Sequence, residues 1–159
     1  MKLPIRQAAM AGLLALTAGA AFAGATVTYV QPERFSDIPF SHADRERVLA
    51  DMTSHFNKLA TKLPAGQELT VEVLDIDLAG DTWPTHMAHD LRILNGRADW
   101  PRMQLRYTIT AGGQVVRSGE EHLSDMSYLH QANRIDRQDS LRYEKKMLDD
   151  WFKERFAAR

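Results

Sequence analysis

The sequence predicts an α+β domain: a two-layer sandwich in which a mixed sheet of about four strands carries two helices on one face, in the order β-α-β-β-β-α. Three observations predict it. Several segments alternate apolar and polar residues and are rich in β-branched side chains. Two longer segments repeat their apolar residues at three and four. A Gly112-Gly113 pair separates the last two alternating segments at hairpin distance.

The elements begin only after a leader. Met1 to Arg6 is short and basic, Ala8 to Ala20 is apolar and uncharged, and Ala21-Phe22-Ala23 offers small residues where a signal peptidase reads them. This is the pattern of a secretory signal peptide over 1–23, with cleavage expected after Ala23. It leaves residues 24–159 as one expected domain, long enough to bury an ordinary core. The expected location is periplasmic or secreted, by Gram-negative-type export.

Ala25 to Val30 alternates and is β-branched, which predicts the first strand. Pro32 and Pro39 mark an irregular connection. Ser41, with Asp44 three residues on, approximates a capping box. Behind it Val48, Leu49, Met52, Phe56, Leu59, Ala60 and Leu63 form one apolar stripe, ended by Pro64-Ala65-Gly66. Leu69 to Val73 alternates, and Leu74 to Leu78 continues with the apolar phase shifted by one, which predicts a bulge. Ala79-Gly80-Asp81 reads as a turn. From there to Pro101 the pattern is weak, with Leu91 to Leu94 as a short strand inside a long loop.

Met103, Leu105, Tyr107 and Ile109 alternate with Arg102, Gln104, Arg106 and Thr108, which predicts a strand with one buried face. Gln114 to Leu123 returns as its hairpin partner. Tyr128 to Arg137 is polar and reads as loop. Asp139 or Ser140 caps a last helix whose inner side holds Leu141, Met147, Leu148, Trp151, Phe152 and Phe156. The first strand-helix-strand unit predicts a right-handed parallel crossover. Thr70, Arg102, Gln104, Arg106 and Thr108 leave the second sheet face open to solvent.

Charge and cysteine content narrow the function. Without Lys2 and Arg6 the chain carries 18 basic and 21 acidic side chains, net −3. That balance favours neither nucleic acid nor an anionic membrane. The charges from Arg142 to Arg155 are interspersed and read as a solvated helix face. With no cysteine there is no thiol nucleophile, no thiolate ligand and no acylated cysteine after the leader, so no lipid anchor is expected. No apolar run after the leader reaches the ~20 residues of a membrane helix.

Several residues are candidates for chemistry. Asp75 and Asp77 share a strand face near Asp81 and suggest a hard-cation site or a carboxylate pair. The plainer reading is a strand end whose carboxylates cap the next turn. His86, His89 and Asp90 suggest a zinc site, although H-E-x-x-H is absent and two surface histidines in a loop are the commoner case. Glu120, Glu121, His122, Ser124 and Asp125 supply hydrolase residue types without a G-x-S-x-G elbow. Trp83-Pro84 and Trp100-Pro101 bracket the long loop, so their indoles either line a groove or pin the loop to the core. No glycine-rich phosphate loop precedes a helix, and no cofactor is expected.

A set of segments carries a family resemblance. They are Asp75 to Gly80, Ala98 to Pro101 with Leu105-Arg106-Tyr107, Ser118 to Met126, Tyr128-Leu129, and Tyr143 to Phe152. Together they resemble domain-of-unknown-function family 3016, a family of secreted bacterial proteins. The resemblance covers nearly the whole chain after the leader. It implies an exported, single-domain, periplasmic protein and assigns no catalytic or binding role to any residue.

The expected function is therefore a non-catalytic binding or accessory module of the cell envelope. Its partner would be an envelope protein or a small ligand, met through a sheet face or edge or the loop between Trp83 and Trp100. The contact candidates are Trp83, Trp100, Glu120 and Asp125. The alternative is a metal-binding protein or metal-dependent hydrolase using Asp75, Asp77, His86, His89 and Asp90. A self-assembling envelope protein is a third reading, without coiled-coil heptads to favour it.

Overall fold

The computed structural model describes residues 24–83, 91–131 and 134–156. Its elements are β1 (Ala25–Tyr29), a 3-10 turn at Pro32–Arg34, α1 (His42–Ala60), β2 (Gln67–Asp77), β3 (Asp81–Trp83), β4 (Leu91–Ile93), β5 (Arg102–Ala111), β6 (Gln114–Ser124) and α2 (Arg142–Phe156). The main sheet has four strands in the order β1-β2-β5-β6. β1 runs parallel to β2, while β2–β5 and β5–β6 are antiparallel. This is the α+β sandwich that the alternation and the two apolar stripes predict.

Both helices cover one sheet face. Leu49, Met52, Phe56 and Leu59 of α1 and Met147, Leu148, Trp151 and Phe152 of α2 share one core with Val71, Val73, Met103, Leu105, Tyr107 and Ile109 of the sheet. The Tyr29 hydroxyl donates to the Leu49 carbonyl at 2.9 Å, tying β1 to α1. The phase shift at Leu74 is a bulge, with the register of β2 on β5 slipping between Val73 and Asp75. In the hairpin, Gly112 and Gly113 both take positive φ, as a two-residue turn between twisted strands requires.

Several local expectations are corrected or refined. Ser41 sits at the α1 N-cap, but its side chain makes no cap hydrogen bond, and Asp44 pairs with Arg47 one turn ahead rather than reaching back. Asp81 does not end a turn: it begins β3, which pairs antiparallel with β4 as a separate ribbon. Neither strand of that ribbon buries a regular face, so no alternation announces it. The segment after β6 is loop among its described residues, as read, but Tyr128 within it is buried with its ring edge-on to Tyr143 at 4.9 Å. Finally, the charged face of α2 is solvated only in its later part, where Asp150, Lys153, Glu154 and Arg155 are exposed. Glu144, Lys145 and Lys146 are all buried, since α1 and the segment around Asp125 to Gln131 pack against its flanks.

At the same N-terminal end of α2, Asp139 Oδ1 accepts from the Leu141 amide at 2.9 Å, just ahead of Arg142, the first helical residue.

Candidate functional site

The sheet face away from the helices stays polar and open. Register places its side chains in rows. Thr26, Thr70, Thr108 and Ser118 form one row, four hydroxyls on four adjacent strands. Thr28, Glu72, Arg106 and Glu120 form the next, followed by Asp75, Gln104 and His122, and then Asp77, Arg102 and Ser124. The bulge at Leu74 keeps Asp75 and Asp77 on this face, because it turns Ile76 into the core beside Met103.

Arg106 organises the centre. Its Nε donates to Glu120 at 3.0 Å and its Nη1 to Glu72 at 3.3 Å, while Gln104 donates to the other Glu120 oxygen at 3.0 Å. These bonds, Arg106 first and then Gln104, hold the Glu120 pKa below its ordinary value. Glu120 is thus a fixed carboxylate at neutral pH and is poorly suited to proton transfer. A shallow depression of about 420 Å³ lies over Thr70, Glu72, Arg106, Thr108, Ser118 and Glu120. Such a surface offers hydroxyl, amide, guanidinium and carboxylate groups to a polar partner, with donors and acceptors already oriented.

The sequence-predicted residues are only partly brought together. Asp75, Asp77 and Glu120 share the open face. Asp75 accepts from the Ser36 amide at 2.7 Å and the Ser36 hydroxyl at 2.6 Å. Asp77 accepts from Arg102 at 2.5 Å, and that guanidinium stacks on Trp100 at 4.6 Å. The two aspartates therefore hold separate structural partners, Ser36 and Arg102. Trp83 is exposed on β3, while Trp100 packs against Ala79, Tyr128 and Tyr143, so only Trp100 pins the loop. Asp125 is buried, accepts from the Ser127 amide at 3.0 Å and lies 3.5 Å from Lys146. It shapes a turn away from the open face. His86, His89 and Asp90 lie outside the described residues. Among the described residues no three His, Asp or Glu side chains are grouped to hold a metal ion.

Two polar clusters escape a reading of the sequence. At the sheet end, Arg92 bonds Asp37 at 2.7 Å and reaches the Leu78, Ala79 and Gly80 carbonyls at 3.4, 3.2 and 2.9 Å. Glu144 accepts from the Ala79 amide at 2.7 Å, and burial raises its pKa. Between the helices, Lys145 bonds Asp51 at 2.7 Å and Asp139 at 2.6 Å. Burial opposes the Lys145 charge, but these two carboxylates outweigh it and raise its pKa. His55 lies 3.1 Å from the Lys145 carbonyl and 3.2 Å from Asp149, with its pKa lowered chiefly by burial. Both clusters hold elements together: Arg92 ties β4 to Asp37 and the Leu78–Gly80 backbone, Glu144 ties Ala79 to α2, and Lys145 fixes α1 to α2.

A family model described as a protein of unknown function (DUF3016) matches residues 23–154. The chain belongs to the DUF3016 family. No curated protein and no solved structure matches it. The DUF3016 match takes in every strand of the sheet and nearly all of α2, so the open face and its Arg106 row lie wholly inside the family's domain. No helix among the described residues is long and apolar enough to cross a membrane.

Proposed function

We propose that this DUF3016 protein is an exported, periplasmic, non-catalytic binding or accessory module of the cell envelope, and that the open sheet face is its working surface. One observation carries the reading. Four strands present uncovered polar rows whose central guanidinium is held between two carboxylates on neighbouring strands. A rigid scaffold with pre-oriented polar groups loses little entropy on binding, which suits a contact surface. The lowered Glu120 pKa weighs against acid-base catalysis there. Export rests on the leader over 1–23, read from sequence.

The metal reading has weaker support, because Asp75 and Asp77 are already engaged by Ser36 and Arg102. Site-directed photo-crosslinking from Thr70, at the middle of the face, tests the binding reading in cells expressing the full chain.

A further inference from the structure

The bend after β4 carries the chain's one asparagine–glycine step. Asn57 precedes lysine and Asn133 precedes arginine, whereas Asn95 precedes Gly96, and no aspartate precedes a glycine. Such a step has a chemistry of its own. The backbone nitrogen of the following residue attacks the side-chain carbonyl carbon, and a glycine has no Cβ to hinder the approach. Here a bond forms between Gly96 N and Asn95 Cγ. The bond from Cγ to Nδ2 breaks, and the nitrogen leaves as ammonia with the Gly96 amide proton. Water then opens the cyclic imide at either carbonyl, giving aspartate or an isoaspartate with one extra carbon in the main chain. Asparagine counts among the thermolabile residues.

The surroundings single out Asn95. Asn95 and Gly96 are both exposed, so water reaches the site. Gly96 has φ of 66°, and a Cβ on it would stand 3.0 Å from Leu129 Cδ1, so the bend itself requires glycine. Asn57 lies inside α1 instead, where its Nδ2 donates to the Thr53 carbonyl at 3.1 Å and its Oδ1 accepts from the Ala25 amide at 2.9 Å.

Two carboxylates hold the reacting groups in the folded bend. Asp81, the first residue of β3, accepts from Asn95 Nδ2 at 2.8 Å. Asp99 Oδ2 accepts from the Asn95 amide at 2.6 Å and the Gly96 amide at 3.2 Å, and its Oδ1 accepts from the Arg97 amide at 2.8 Å. Cyclisation has to turn the side chain off Asp81 and free the Gly96 nitrogen from Asp99. The reaction therefore runs from an opened bend, and its products oppose reclosing. A carboxylate at position 95 sets an acceptor against Asp81 where a donor stood, and an isoaspartate displaces the amides that converge on Asp99. The same bend holds the base of the ribbon, because the Asp99 carbonyl accepts from the Gly80 amide at 2.8 Å.

We infer that Asn95 is a site of spontaneous modification: it deamidates through an imide with Gly96, its tether to Asp81 slows the reaction, and the product loosens the β3–β4 ribbon. The inference rests on the ribbon and is independent of the open-face reading. Peptide mapping by mass tests it on purified protein expressed from the full chain and kept at mildly alkaline pH, with isoaspartate separated by chromatography. The wild type should gain acid at position 95, isoaspartate included, while Asn57 keeps its amide. Asp81→Ala, checked for native circular dichroism, should react roughly three- to tenfold faster, the worth of one exposed hydrogen bond. Asn95→Asp reproduces one product directly, and its Asp81–Trp83 and Leu91–Ile93 amides should exchange hydrogen faster than those of fresh wild type. A wild type that keeps its amide at 95 throughout, an Asp81→Ala chain that reacts no faster, or unchanged ribbon exchange in Asn95→Asp overturns the inference.

Discussion

Replacing Gly119 by alanine tests how tightly the second layer is packed against β6. The new Cβ would stand 2.9 Å from Tyr107 Cε1, 3.1 Å from its hydroxyl and 3.2 Å from Cζ. The ring has little room to retreat: Trp151 meets it edge-on at 5.7 Å and Phe156 at 5.3 Å. Overpacking of this kind costs about 1–3 kcal/mol. The lower entropy of an unfolded alanine returns about 0.4–1 kcal/mol. The net loss of about 1–2 kcal/mol corresponds to a fall in Tm of roughly 3–10 °C for a domain of this size. Thermal and urea unfolding measure it. In a Tyr107→Leu background, which removes the colliding ring atoms, the penalty should vanish or reverse sign. A neutral Gly119→Ala, or an equal penalty in both backgrounds, refutes the reasoning.

Glu144 predicts a pH dependence. Its folded pKa is raised by burial, so the native state holds its proton more tightly than the unfolded chain. The stability it contributes is fully present below the ordinary value of 4.5 and is lost as pH rises through the folded pKa. Glu144→Gln, which keeps an acceptor for Ala79, should remove that loss and leave Tm at pH 7 unchanged or higher. Glu144→Ala orphans the Ala79 amide and should cost about 1–3 kcal/mol. Mass and elemental analysis of protein recovered after export should give a chain starting at Gly24 without stoichiometric zinc or calcium. A chain retaining its leader contradicts export, and bound metal favours the alternative reading.

The sheet was legible because its burial is one-sided. Met103, Leu105, Tyr107 and Ile109 alternate without interruption, and the phase slip at Leu74 signals the bulge directly. Of the ribbon, β4 was anticipated by the short strand read at Leu91 to Leu94, but β3 and its pairing were not, since these short strands have no buried face to impose a period. The charged run of α2 misleads for another reason. Whether Glu144, Lys145 and Lys146 meet water depends on Ala79, Asp51 and Gln131, which are distant in sequence. A lysine on a helix looks the same from its neighbours whether solvated or buried between two carboxylates. For the site, the alternation put Arg102, Gln104, Arg106 and Thr108 on one face. That Glu72 and Glu120 flank Arg106 depends on strand order and register, which a single sequence leaves open. Asp75 and Asp77 were legible as a pair on one face, but their partners Ser36 and Arg102 come from other segments.

The central claim is that the open face binds a partner. A photo-crosslinking side chain at Thr70, in cells expressing the full chain, addresses it directly. The same probe at Arg47, exposed on α1, serves as the control. Arg106→Ala, an exposed substitution expected to change stability by no more than about 0.5 kcal/mol, removes the central group of the face. The account predicts a discrete adduct from Thr70, none from Arg47, and loss of the Thr70 adduct in the Arg106→Ala chain with its melting curve unchanged. Equal adducts from both positions, no adduct from Thr70, or an adduct indifferent to Arg106 contradicts it.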